Sequence, residues 1–227
     1  METSAASRLR SRGFFMKRIS FLIDGFNLYH SIKDLERIHG IKAKWLNLYS
    51  LCKSYLYLFG KDAVLQDIYY FSAYPNHLSL SRPDTIARHK DFITCIEDLG
   101  IKVVLGRFKE KKVFCDNCKT VINKHEEKET DVAIAVKVIE LFHLDSCDIQ
   151  VIVSGDTDLA PAIRTSLALF PKKQICFAFP FNRKMKELAA LSTLPSFSIG
   201  RMNYQTHSLP DPYVLKDGNK IFKPTSW

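Results

Sequence analysis

Four aspartates stand where a folded chain could concentrate negative charge. Asp24 closes an apolar run, Ile19-Ser20-Phe21-Leu22-Ile23-Asp24, and is followed by Gly25-Phe26-Asn27. Asp156 and Asp158 close another, Val151-Ile152-Val153-Ser154-Gly155-Asp156-Thr157-Asp158. Asp131 opens the long helical pattern between them. Strands of a parallel α/β sheet share a carboxyl-terminal edge, and ligands bind in the crevice there. Carboxylates gathered at one edge repel one another unless protons or cations lie between them. An all-oxygen site suits Mg²⁺ or Mn²⁺. An acidic, cation-loading pocket on a basic protein suggests phosphodiester chemistry.

Each piece also has a local explanation. Asp156, Thr157 or Asp158 can cap the helix that follows. Asp24-Gly25 is a turn pair, and Asn27 can cap a helix over 28–38. Asp131 suits the positive end of a helix dipole. Glu127, four residues before Asp131, would share its helix face and is a further candidate. Capping alone needs fewer carboxylates than are present, and their joint occurrence at strand ends favours a metal site.

Elements must exist to bring these groups together. Strand patterns at 18–24, 64–74, 101–108, 149–154, 174–179 and 196–199 alternate with helical ones at 26–38, 46–59, 82–99, 127–143, 158–169 and 183–191. Ser81 is a plausible cap for the third helix, and Pro83 suits its first turn. Val132, Ala135, Val136, Ile139 and Phe142 form a broad apolar face on the fourth. This order predicts an α/β fold, a three-layer αβα sandwich around a central parallel sheet. The first strand and the 149–154 strand should be neighbours, bringing Asp24 to Asp156. Residues 201–227 hold Lys216-Asp217-Gly218-Asn219-Lys220 between short apolar runs, which predicts a C-terminal β-hairpin extension.

Composition agrees with one domain. The chain has 227 residues, 46% of them hydrophobic, enough for a substantial core. No apolar run reaches the roughly 18 residues of a membrane span. The net charge is 33 − 24 = +9, which fits a polyanionic partner. Arg8, Arg10, Arg12, Lys17 and Arg18 supply much of the excess, so residues 1–17 read as a basic tail without the apolar core of a secretory signal. Met16 offers an alternative start. The cysteines give no disulfide framework, and a reducing cytoplasm is expected. Within a charged stretch at 109–125, Cys115 and Cys118 have the spacing of half a zinc site, with His125 as a third ligand. Two free thiols in a hairpin are the alternative to a zinc knuckle.

The combination resembles the NYN domain family, a LabA-like branch of the PIN-type nucleases. The resemblance is carried by Phe21-Leu22-Ile23-Asp24-Gly25-Phe26-Asn27-Leu28, by Glu127-Lys128-Glu129-Thr130-Asp131-Val132, and by Val153-Ser154-Gly155-Asp156-Thr157-Asp158-Leu159, within a domain spanning 18–200. It implies a PIN-like fold and a catalytic Mg²⁺ or Mn²⁺ site on Asp24, Asp131, Asp156 and Asp158, with Asn27 beside the first aspartate. The implied activity is that of a metal-dependent ribonuclease, read here as an endonuclease with RNA as partner, no membrane, and a homodimer as an allowed assembly. Lys128, Arg164, Arg183, Lys184 and Lys186 are candidate phosphate contacts, with plain surface charge as the alternative for each. Phe177, Phe179 and Phe181 offer stacking faces for bases if they are not core. A non-catalytic RNA-binding module on the same fold is the competing reading. A phosphatase for small substrates ranks below both, because Asp24-Gly25-Phe26 lacks a second aspartate.

Overall fold

The computed structural model describes residues 16–76, 83–115 and 120–227, with the side chains of 112, 113, 115 and 122–127 outside the description. Strand β1 (Lys17–Asp24) leads into helix α1 (Gly25–His39), and α2 (Leu48–Ser54) precedes β2 (Ala63–Ala73). Helix α3 (Pro83–Asp98) leads to β3 (Lys102–Cys115), which pairs with β4 (Thr120–Lys128). Then follow α4 (Thr130–His143), β5 (Ile149–Val153), α5 (Ala160–Leu169), β6 (Gln174–Phe179), α6 (Lys186–Leu191), β7 (Phe197–Ser198) and α7 (Arg201–Thr206). Strands β8 (Tyr213–Val214) and β9 (Lys220–Ile221) form the C-terminal hairpin.

The main sheet runs β4-β3-β2-β1-β5-β6-β7. Six strands, β3 through β7 in that spatial order, are parallel, and β4 is antiparallel on the edge. Alternation along β1 shows why two layers of helix are needed. Phe21 and Ile23 enter one core with Leu28, Ile32 and Leu35 of α1, whereas Leu22 enters the other with Ile134 and Val138 of α4. Each buried side chain of this kind contributes about 1.5–3 kcal/mol. The expected αβα sandwich is therefore present, and β1 lies beside β5 with Ile19 opposite Ile149.

Several boundaries differ from expectation. The helix expected over 46–59 is α2 followed by a 3-10 turn at Leu56–Phe59. The charged stretch after 108 is an antiparallel ribbon whose register pairs Arg107 with Lys128 and Cys115 with Thr120. Because β4 runs through Lys128, α4 begins only at Thr130, and Glu127 lies on a strand rather than one turn before Asp131. Broad apolar coverage of α4 also divides: Ile134, Val138, Leu141 and Phe142 are buried, while Val132 and Val136 are exposed. Helix α7 had no counterpart in the sequence reading. Residues 1–15 of the basic tail, Ser81, Cys118, and the side chains of Cys115, His125 and Glu127 lie outside the described residues.

The C-terminal extension straps onto the domain as expected. Leu209 N–H donates to the Trp45 carbonyl (2.9 Å), and Trp45 Nε1 donates to the Pro210 carbonyl (3.1 Å). Tyr213 Oη donates to Asp98 Oδ2 (2.9 Å), and Trp227 packs 6.1 Å from both Trp45 and Phe92.

Candidate metal centre

The carboxyl edge of the sheet is built from three strand-to-helix turns and one helix start. Asp24 ends β1 with an extended backbone (φ −72°, ψ 104°) and caps α1, its Oδ1 accepting from Asn27 N–H at 2.9 Å. Its Oδ2 accepts from Ser154 Oγ at 2.8 Å, and Ser154 Oγ accepts from Asp156 N–H at 3.0 Å. Asn27 lies in the first turn of α1 and does not cap it. Its Oδ1 accepts from Gly155 N–H at 3.0 Å, tying the turn after β1 to the turn after β5. Asp156 Oδ1 accepts from Asp158 N–H at 2.9 Å, capping the 3-10 turn Thr157–Leu159 that leads into α5. Capping and clustering thus coexist: one oxygen of Asp24 and one of Asp156 bind the local backbone while both groups line the crevice.

Two glycines permit this closeness. A Cβ on Gly155 would stand 2.1 Å from the Arg183 carbonyl oxygen, and one on Gly25 would stand 2.5 Å from the Phe71 carbonyl oxygen. The turn after β6 can therefore press against the turn after β5, with Asn182 in the left-handed region (φ 58°) beside Arg183. Glu129 is also left-handed (φ 80°), where β4 turns into α4 and delivers Asp131.

Asp24, Asp131 and Asp156 each offer one oxygen so that all three lie within 4.8 Å of one another. Asp24 is 3% exposed, Asp156 is half-buried and Asp131 is exposed. Burial raises the Asp24 pKa above the usual carboxylate value; the Asn27 N–H and Ser154 hydroxyl work against this, and the charge of Asp156 adds to it. The three line a pocket of about 340 Å³ with Phe26, Asn27, His30, Thr130 and Arg183. Arg183 is held by Asp34, Nη2 to Oδ2 at 2.8 Å. His30 has a lowered pKa, through burial first and then the nearby cations Lys33 and Arg183.

The donor set fits a hard divalent cation. Three anionic oxygens from three elements converge, Asp24 is buried among hydrogen bonds that favour its charged form, and no soft ligand intrudes. Asp158 stands apart, exposed on the 3-10 turn and outside the group of three. Of the candidate phosphate contacts, Arg183 lines the pocket. Arg164 pairs with Glu187 at 2.9 Å, both largely exposed. Lys128 ends β4, Lys184 lies exposed in the turn before α6, and Lys186 begins that helix. Phe177 and Phe179 are fully buried and stack on each other, and Phe181 packs against the core. Among the described residues no cysteine joins a potential metal-binding group.

His30, Phe26, Thr130 and Ser154 belong to no expected set of site residues. For His30 a signal existed, since Asp24, Asn27 and His30 recur every three residues and so share a helix face. Ser154 carries no signal of its own, because its role lies in a side-chain hydrogen bond to Asp24 across the β1–β5 pair.

Fold and site together define a parallel α/β domain with a carboxylate cluster at its topological switch point. Residues 18–191 match the NYN domain model, and the chain belongs to that family. A comparison with curated proteins gives no match. Among solved structures, the chain is similar to a protein of unknown function, VPA0982, from Vibrio parahaemolyticus RIMD 2210633, with 16% identity and a TM-score of 0.48 over 82% of this chain and 94% of that one. No helix among the described residues is long and apolar enough to cross a membrane.

Proposed function

We propose that this protein is a metal-dependent ribonuclease that cuts RNA internally at phosphodiester bonds. The observation that carries the reading is the convergence of Asp24, Asp131 and Asp156 within 4.8 Å at the carboxyl edge of the sheet. Binding a polyanion would not by itself favour such a cluster, because phosphate and carboxylate repel. A Mg²⁺ or Mn²⁺ ion held by these three would activate water for attack and offset charge on the phosphate. Ser154 and the Asn27 N–H fix the Asp24 carboxylate, and the Asn27 side chain fixes Gly155 beside Asp156. Arg183 supplies a cation at the pocket wall for a non-bridging phosphate oxygen, steadied by Asp34. Asp158, exposed within the 3-10 turn that Asp156 caps, is read as an outer carboxylate of the same site.

The test is cleavage of end-labelled single-stranded RNA with Mn²⁺, Mg²⁺ or EDTA, by wild type and Asp156→Asn. Cleavage should require the metal and fall by about a hundredfold in the variant, the size of losing one electrostatic stabiliser. Fragments of intermediate length would establish internal cutting. Equal inactivity of both proteins, with RNA still bound, would instead support a binding module.

A further inference from the structure

We propose that Phe26 and Phe108 form a stacking platform for an unpaired base beside the carboxylates. This rests on the phosphodiester reading above. Phe26 lines the pocket between Asp24 and Asn27 in sequence, yet is only half-buried. Phe108, also half-buried, reaches it from β3 edge to face, with centroids 5.7 Å apart and planes at 71°. A T-shaped pair of this kind steadies Phe26 at the pocket wall beyond what its area burial alone supplies.

Strand order gives the pocket two unlike ends. Phe108 belongs to β3, and Arg183 follows β6; the turns after β1 and β5, carrying Asp24 and Asp156, lie between them. One end therefore presents aromatic carbon and the other a guanidinium, with the acidic cluster in the middle. A nucleotide has the matching polarity: a flat base at one end and a phosphate at the other. One helical turn beyond Phe26, Tyr29 is 45% exposed with Lys33 Nζ 5.8 Å from its ring centroid, which continues the alternation of aromatic and cation along α1. Stacking tolerates any base, but requires a base whose face is not already covered in a duplex.

The experiment measures binding in Ca²⁺ of end-labelled oligoadenylate, of an abasic ribose-phosphate chain of equal length, and of oligoadenylate paired with oligouridylate. Wild type, Phe26→Ala and Phe26→Tyr are compared. Wild type should bind oligoadenylate about tenfold more tightly than either the abasic chain or the duplex. Phe26→Ala should lose that preference, and Phe26→Tyr should keep it. The proposal is overturned if wild type binds intact and abasic chains alike. It is equally overturned if Phe26→Ala weakens both by the same factor, as a packing role would. Base-dependent binding without any cleavage in Mn²⁺ would sink the nuclease reading and leave the platform standing; cleavage without base dependence would do the reverse.

Discussion

Asp24 serves two purposes that conflict when no cation is present. It caps α1 and anchors Ser154, yet it is buried beside another carboxylate. Its raised pKa means that the folded state resists its ionisation. The sign follows directly. Below the unfolded carboxylate value near pH 4 both states are protonated and there is no penalty; as pH rises through the folded pKa the penalty becomes complete. In EDTA at pH 7, Asp24→Asn should therefore raise Tm by about 2–4 °C, equivalent to about 1 kcal/mol. The amide retains both contacts, accepting from Asn27 N–H and donating to Ser154 Oγ. The gain should vanish below about pH 4. A lower Tm at pH 7 would show that the ionised form is already well accommodated. His30 differs from Asp24 in legibility, because its only signal is the three-residue spacing from Asp24 and Asn27 along one helix face.

At the scale of elements, three turns are interlocked rather than merely adjacent. Asn27 bonds to Gly155, and Gly155 lies beneath the Arg183 carbonyl. Gly155→Ala should cost about 1–3 kcal/mol, because a rigid backbone atom must move to admit the methyl. Thermal unfolding checks the cost. The same variant should weaken RNA binding by displacing Arg183, and an unchanged Tm would contradict the packing. Strands β1, β2, β5 and β6 are legible because their runs are rich in apolar residues and nearly continuous, as parallel strands covered on both faces require. The pairing of β1 with β5 followed from the β-α-β order. The extent of the β3–β4 ribbon was not legible, since its lysine- and glutamate-rich sequence lacks a burial pattern. That one omission misplaced the start of α4 and set Glu127 on the wrong element. Asp158 is only two residues from Asp156, but it sits exposed in the 3-10 turn that Asp156 caps and is not one of the three converging carboxylates.

Across the whole molecule, charge is divided between the two edges of the sheet. At the edge opposite the acidic cluster, Arg18 pairs with Asp145 (3.0 Å) and Asp148 (2.8 Å), and Lys173 joins both. Burial alone would raise the Asp148 pKa, but hydrogen bonds from the Arg18 guanidinium and backbone, with its charge, hold it below the usual value. This is the opposite sign to Asp24. Stability from Asp148 is present above the unfolded value near pH 4 and is lost as pH falls through the folded one. Asp148→Asn should thus lower stability at pH 7 by about 1 kcal/mol, discounted for solvent access, with the loss fading in acid. A deficit that persists unchanged at pH 2 would mean that packing, not charge, is responsible. The two asparagine variants should therefore have opposite effects at neutral pH. The most direct test of the central claim, that three elements assemble one cation site, is calorimetric titration of Mn²⁺ into wild type, Asp24→Asn, Asp131→Asn and Asp156→Asn. Wild type should bind Mn²⁺, and each substitution should weaken that binding by about tenfold or more. Identical titrations for all four proteins would contradict the account.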